Sequence, residues 1–598
     1  MSMDFGAIYH RSSDNYCYPL NKESLVINLK TGYDIEKVFL HYGDPFKNGI
    51  MGDGSAWDGK REEIIYKKHL RYHKWWTTTV MPEFKRCRYY FELITKGKKT
   101  FYYFEDRIYS EIEMKEVHHG FQYFTFPWMN EVDINKTPSW VNETIWYQIF
   151  PERFCNGDSS INPERVEKWA GPNTPVTNKQ FFGGDLRGII NKLPYLKSLN
   201  ISGIYLTPIN ESPSTHKYDT TDYFKIDPHF GDAKVMKELV LKAHALGMRV
   251  MLDGVFNHAG RLASQWQDVI QKGPDSPYYN WFMVNEWPFD SRGGNAHQGK
   301  YYSFAFDDKM PKLNTSQPEV REYLISICEY WVKEYNIDGL RLDVANEVSH
   351  QFCKELRSRM KALKPDLYIL GEVWNDSIHW LRGDEFDAVM NYPLGEAISD
   401  FWLEESYTKK DFEEAINRCY TLYMQQTNDV LFNLLDSHDT IRLSTKIPDK
   451  DKIYQQLAIL YTMPGSPCIF YGTEVLLEGA HDPDCRRCMP WKEIEEGKYE
   501  ESLHIVRQLT KLRKEEPLFR SRNFHFTNEV DNGRVLEYIK TDDYDRKKMA
   551  IILNCCNEVI KLKIEGRVLF SHRCAEGQLE PKGIVIWIMN EKKIEKNN

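Results

Sequence analysis

The sequence predicts an α/β protein: a (β/α)8 barrel with an inserted loop domain after its third strand, flanked by N-terminal and C-terminal β-sandwich domains. Three observations carry this. Between about residues 137 and 515, eight nearly continuous apolar runs alternate with longer helical stretches, the pattern of parallel strands covered on both faces. Short aromatic and β-branched runs, broken by Gly, Asp and Lys clusters, precede and follow that region. A chain of 598 residues is also too long for one hydrophobic core.

Residues 1–130 contain the first β runs, among them Leu25 to Asn28, Lys37 to Leu40, Tyr89 to Leu93 and Thr100 to Phe104. The barrel is expected over residues 131–515. Its strands are read at Ile145 to Phe150, Gly203 to Leu206, Arg249 to Asp253, Gly339 to Asp343, Leu367 to Leu370, Phe386 to Met390, Val430 to Leu435 and Cys468 to Tyr471. The rhythm breaks at about residues 258–313, where Gly, Pro, Trp and Tyr replace a simple helix, and this is the expected insertion. Residues 516–598 return to short β runs such as Val535 to Ile539, Met549 to Leu553 and Gly583 to Trp587, and the Lys- and Glu-rich tail from Asn590 is expected to fray.

Composition excludes several classes of function. The net charge is −9 and there is no long run of Lys or Arg, which argues against nucleic acid or an anionic membrane as partner. No run of about 18 apolar residues suggests a membrane span. Residues 1–10 lack the basic and apolar regions of a secretory signal, so a cytoplasmic location is expected. The 12 Cys are scattered, as suits a reducing compartment, and Cys485 and Cys488 form a CxxC with no second pair at zinc-binding spacing. No organic cofactor is expected, since Gly183 to Gly188 lacks dinucleotide-binding glycine spacing.

Barrel enzymes place catalytic groups at the C-terminal ends of their strands. Four exits carry polar clusters: Asp253-Gly-Val-Phe-Asn257-His258, Arg341-Leu-Asp343, Gly371-Glu372-Val-Trp374 and Asp436-Ser-His438-Asp439. Charge beside apolar strands is costly unless paired or functional. Arg341 and Asp343 are two apart on a strand, so they share a face, and Arg341 is expected to hold Asp343 ionised as a nucleophile. Glu372, beside Trp374, is expected in a less polar setting, with its pKa raised as a general acid requires. Two such carboxyls about 5 to 5.5 Å apart make a retaining glycosidase pair.

These four segments, with Val344-Ala-Asn-Glu347, resemble the signature regions of the α-amylase superfamily, glycoside hydrolase family 13. The endings Val344 to Glu347 and Met310 to Asn314 are similar to its neopullulanase, cyclomaltodextrinase and maltogenic amylase branch. The resemblance implies an N-terminal starch-binding-type module and an α-glucan substrate such as a cyclodextrin, maltodextrin, pullulan or starch, cleaved at α-1,4 and also α-1,6 bonds. It implies Asp343 as nucleophile, Glu372 as proton donor and Asp439 as the third carboxylate. It further implies His258, His438 and Arg341 as hydrogen-bonding groups, Tyr218 as the platform under the cleaved sugar and Trp374 as the platform on the leaving-group side. Asp482 and Arg486 either bond sugar hydroxyls or form a salt bridge with each other.

A structural calcium is implied at Asn156, Asp158, Asn162, Gly183 and Asp185, although Ile161 and Asn162 replace an amide and acidic pair of related enzymes. A homodimer through the N-terminal domain is also implied. Two other readings stay open: a transglycosylating glucanotransferase on the same residues, and a non-catalytic amylase-like binding protein.

Overall fold

The computed structural model describes residues 3–47, 59–111, 113, 122–544 and 546–590. Residues 591–598 of the tail expected to fray lie outside them. The chain forms two compact units: Met1–Lys136 with Ile378–Gly383 and Tyr407–Asn428, and Thr137–Ser377 with Asp384–Ser406 and Asp429–Asn598.

The first unit holds two antiparallel sheets. One is ordered Cys17–Pro19, Leu25–Thr31, Lys74–Val80, Lys67–His69; the other runs Lys60–Glu63, Ile35–Gly43, Cys87–Thr95, Thr100–Tyr103, Ile108–Ser110, with Phe124–Phe126 beside Cys87–Thr95. Leu25, Ile27, Leu29, Val38, Leu40, Tyr89, Phe91 and Leu93 make a common core, as the strand periodicity of two requires. Sequence reading missed one feature: residues from inside the 131–515 range belong to this unit. Tyr18, Val26 and Met424 share a cluster, and Asn417 Nδ2 donates to His69 O at 3.0 Å. Helical periodicity shows that a segment has an apolar face but not what that face packs on.

In the second unit, all eight expected barrel strands are present: β1 (Trp146–Ile149), β2 (Gly203–Leu206), β3 (Arg249–Gly254), β4 (Gly339–Leu342), β5 (Tyr368–Gly371), β6 (Ala388–Val389), β7 (Phe432–Asn433) and β8 (Ser466–Phe470). Neighbours pair in parallel in the order 6-5-4-3-2-1-8-7, and a parallel bridge between Met390 and Phe432 closes the ring. Helices α1 (Leu186–Ser198), α2 (Ala233–Ala245), α3 (Pro318–Tyr335), α4 (His350–Leu363), α5 (Tyr392–Leu403), α6 (Lys450–Thr462) and α7 (Glu500–Glu515) cover the outside. Their starts follow local chemistry. Asp185, Asp232, Ser349 and Asp449 cap α1, α2, α4 and α6 by accepting backbone N–H groups, while Pro318 opens α3, where its missing N–H costs nothing.

The insertion after β3 has its own small aromatic core, in which Trp266 packs against Phe282, Phe289 and Tyr301. Bridges between His258 and Lys312 and between Phe282 and Leu313 tie its two ends together. Beyond α7, the six C-terminal strands join one antiparallel sheet rather than the two of a simple sandwich. The 12-residue strand Gln578–Met589 is the reason. It pairs with Lys548–Asn554 over one half and Ile560–Lys561 over the other, while Gly566–Ala575 follows its opposite edge.

One buried pair shapes the barrel rim. Arg153, just after β1, is paired with Glu152, and it donates to the carbonyls of Arg486 (3.1 Å), Thr177 (3.1 Å) and Gln180 (2.8 Å). Glu152 in turn accepts the N–H groups of Phe182 and Gly183. A planar guanidinium with five donors can thereby fix two loops at once, the one at Thr177 to Gln180 and the one at Arg486.

Candidate active site

The strand ends converge on a cleft of about 610 Å³ in the second unit. Its lining includes Tyr218, His258, Asp343, Glu372, Trp374 and Asp439, together with Asp482 and Arg486. Register explains the convergence. Asp253 stands opposite Arg341, and Leu342 opposite Gly371, so Asp343 and Glu372 leave neighbouring strands side by side.

Arg341 is fully buried and binds all three strand-end carboxylates. Its Nη1 donates to both oxygens of Asp253 at 2.9 Å and to Asp343 Oδ1 at 2.8 Å. Its Nη2 lies 2.9 Å from Glu372 Oε2, an ion pair by distance in which the N–H does not point along a hydrogen bond. Burial pushes the Asp343 carboxyl well above the usual carboxylate range; Arg341 opposes this, and Glu372, Asp253 and Asp439 add to the upward push. The expectation that charge pairing with Arg341 lowers Asp343 is therefore corrected: the guanidinium acts in the expected direction, but desolvation outweighs it. Burial likewise lifts Asp253 to about 6 against the pull of Arg341 and Tyr205.

Glu372 is not in the less polar setting expected of it. Besides Arg341, it accepts the Val344 N–H at 2.9 Å and the Trp374 indole N–H at 3.2 Å. Val344, with φ 45° and ψ 46°, is held in the left-handed region that β-branched residues avoid, and this turn aims its N–H at Glu372. Trp374 is half exposed and stacks on Tyr392 at 3.8 Å and 6° between planes, so its free face looks into the cleft.

Asp439 lies on the far side, after β7. Its Oδ1 takes Arg486 Nη2 at 3.2 Å and its Oδ2 lies 3.1 Å from His438 Nε2. Arg486 also pairs with Asp482 at 2.7 Å, so in this structure those two form a salt bridge at the cleft wall. Tyr218 donates to Asp253 at 3.0 Å and lies parallel to the ring of His438, to which its hydroxyl is also hydrogen-bonded. His258 is buried between Phe304, stacked at 5.2 Å, and the Tyr218 carbonyl at 3.2 Å. Eight of the ten residues expected to act on substrate thus line one cavity, and the other two, Arg341 and His438, are buried behind its wall in contact with Asp343 and Asp439. The lining carries six carboxylates, at positions 307, 343, 347, 372, 439 and 482, against Arg486 and two imidazoles. Such a wall repels anionic ligands and favours a developing positive charge.

The five residues expected to hold calcium stand apart from the cleft lining. Asp185 spends its oxygens on the N–H groups of Gly157 (3.0 Å), Asp158 (2.8 Å) and Gly188 (2.6 Å), and Asp158 accepts the N–H and hydroxyl of Ser160. Asn156 Nδ2 donates to Asn162 Oδ1 at 3.0 Å, beside Gly183. Among the described residues no group of three or more His, Cys, Asp or Glu could hold a metal ion. A hard dication seeks six to eight oxygens, and here three of the four carboxylate oxygens, both of Asp185 and one of Asp158, already accept hydrogen bonds, so the set fits calcium poorly.

Sequence reading missed Gln148, Tyr205, Phe304 and Tyr392, which bond or stack against the expected residues. For Gln148 the signal was present: a polar side chain within an otherwise apolar parallel strand. The CxxC thiols are both buried, and Cys485 donates to the His438 carbonyl at 3.0 Å, so they serve packing.

A model of the alpha amylase catalytic domain matches residues 148–550, and one of the alpha amylase N-terminal ig-like domain matches residues 3–130. The chain belongs to the α-amylase family of glycoside hydrolases. It is 43% identical over 565 residues to a cyclomaltodextrinase of Geobacillus thermopakistaniensis (strain MAS1), covering 94% of this chain and 93% of that one. It is 42% identical over 519 residues to an intracellular maltogenic amylase of Bacillus subtilis, covering 86% and 85% of the two chains. Neopullulanase 2 of Thermoactinomyces vulgaris is 38% identical over 518 residues, covering 85% of each. Among solved structures, a cyclomaltodextrinase superposes with a TM-score of 0.86 at 36% identity, covering 98% of both chains. The family assignment thus rests on the branch that the motifs resembled.

Burial makes a pH prediction for this α-amylase-family fold. Desolvation holds His258 neutral, with its pKa lowered to about 4. The unfolded chain takes up that proton near pH 6.5, so the stabilisation is full above about 6.5 and is lost as pH falls toward 4. Its size is roughly 3 kcal/mol. Urea unfolding at about pH 7 and about pH 4.5 should show a loss that is smaller by roughly 2 kcal/mol in His258→Asn; an equal loss in both proteins would refute the assignment.

Proposed function

We propose that the protein is a retaining α-glucan hydrolase in which Asp343 is the nucleophile and Glu372 the general acid and base. The supporting observation is the pair itself: two carboxylates on adjacent strand ends, bound to opposite nitrogens of one buried guanidinium and facing an open cleft. Glu372 delivers a proton to the glycosidic oxygen while Asp343, as the carboxylate paired with Arg341, attacks the anomeric carbon, and water then resolves the covalent intermediate with retention. Asp439 and His438 grip sugar hydroxyls, His258 bonds the same ring, Tyr218 stacks beneath it, and Trp374 supports the leaving-group side.

For substrate we propose short or cyclic α-1,4-linked glucans, with α-1,6 bonds also cleaved. The cleft is bounded on one side by the insertion through Phe304, Asp307 and Met310, and the named relatives include cyclomaltodextrinases and a neopullulanase. A cytoplasmic location is proposed from the relative named intracellular; no helix among the described residues is long and apolar enough to cross a membrane. We also propose a homodimer through the N-terminal unit, and that the Asn156 to Asp185 loop keeps its shape without a bound cation.

Asp343→Asn and Glu372→Gln should each lower turnover by about 10³-fold or more while leaving the unfolding transition in place; near-native turnover in either would sink the assignment. With Asp343→Ala as blank, initial rates on β-cyclodextrin should exceed those on an equal mass of soluble starch, and the reverse order would mean an endo-acting enzyme. Adding a chelator should leave the melting temperature unchanged within about 1 °C, whereas a larger drop would restore a structural calcium. Sedimentation at micromolar protein should give a dimer, and a monomer would remove that proposal.

A further inference from the structure

Gln148 has no place in the reaction described above. It lies in β1 with 1% of its surface exposed, between Tyr147 and Ile149, and its Nε2 sits 2.7 Å from His438 Nδ1. A buried amide in an apolar strand is destabilising unless its hydrogen bond is made. We propose that Gln148 is a positioning residue that fixes His438 in the tautomer protonated on Nε2, so that the ring donates to the Tyr218 hydroxyl on the side of the cleft where Asp439 stands. This deepens, and rests on, the reading of the cleft as a glycosidase site.

Proton counting decides the tautomer. His438 is buried, and burial, reinforced by Arg486 and Arg341, keeps its pKa well below the ordinary histidine value. At neutral pH the ring is therefore uncharged and carries one N–H. Two oxygens face Nε2: the Tyr218 hydroxyl and, at 3.1 Å, Asp439 Oδ2. Tyr218 has a single proton, and it is directed at Asp253 Oδ2 at 3.0 Å. Asp253 cannot return a proton, because it already accepts the Tyr205 hydroxyl at 2.7 Å and Arg341 Nη1 at 2.9 Å.

A bare Nε2 would thus oppose its lone pair to a carboxylate oxygen and to a hydroxyl whose proton is spent elsewhere. An N–H at Nε2 donates to the Tyr218 hydroxyl and turns a positive edge, not a lone pair, toward Asp439 Oδ2. The other nitrogen, Nδ1, is then bare and requires a donor, and the Gln148 amide supplies it; the same count decides which end of that amide faces the ring. Methionine at this place would fill the space without donating, and glutamate would accept, reversing the demand on the imidazole. Orientation of a histidine through its second nitrogen is a general way to fix what the first one offers.

The test uses the full-length protein with ring-¹⁵N histidine, read by long-range ¹H–¹⁵N correlation at neutral pH, with the His438 signals identified by their loss in His438→Gln. The expected wild-type spectrum has a bare Nδ1 and a protonated Nε2. Gln148→Glu should move the proton to Nδ1 and lower kcat by about 10²-fold, and Gln148→Met should leave the two tautomers mixed, with a smaller loss. A protonated Nδ1 in the wild type, or a His438 spectrum unchanged in folded Gln148→Glu, would overturn the proposal. If Gln148→Glu does not fold, the wild-type and Gln148→Met spectra decide. A bare Nδ1 in a protein without activity on any glucan would retain this assignment and discard the glycosidase reading, while an active enzyme with a protonated Nδ1 would do the opposite.

Discussion

The mouth of the barrel depends on one buried cation. Arg341 stands on β4 with no exposed surface and touches carboxylates from β3, from its own strand and from the end of β5. An uncompensated charge in such a place costs several kcal/mol, so the carboxylates and the guanidinium require one another. They can meet only if β3, β4 and β5 keep their parallel register. A slip by one residue would turn Arg341 and Asp343 toward the helices and leave Asp253 facing an apolar side chain. The same contact sets the chemistry, because one positive charge shared among three acids leaves an excess of negative charge facing the cleft.

A second cation extends this organisation to the loops. Arg486 binds Asp439, Asp482 and the carbonyl of His438, and its own carbonyl is held by Arg153 from the β1 exit. The third carboxylate is therefore positioned by loop contacts, whereas Asp343 and Glu372 are positioned by strands. Apolar surfaces complete the cleft: Tyr392 behind Trp374, Phe304 against His258, and Tyr218 parallel to His438. The arrangement combines flat faces, suited to sugar rings, with carboxylates suited to hydroxyls and to a developing cation.

The functional residues were legible for a simple physical reason. Parallel strands buried on both faces should be apolar, so Arg341, Asp343 and Glu372 stood out as charges where charge is expensive. Gln148 stood out equally, but an uncharged amide is weaker evidence, and its partner lies 290 positions away in the chain. The Asn156 to Asp185 loop shows the limit of a ligand pattern: its oxygens are of the right type, yet Asp185 is committed to capping α1 and bracing the loop.

The amino-acid sequence by itself determined the eight strands, the aromatic insertion, the two flanking β regions and the set of residues at the strand exits. Each of these follows from local periodicity or from the cost of placing charge beside apolar strands. Only the tertiary structure decided how the acids divide one guanidinium, why desolvation outweighs Arg341 at Asp343, and that residues 407–428 belong with the N-terminal sheets. Those outcomes depend on distance, burial and mutual orientation, which arise when segments far apart in the chain are brought together.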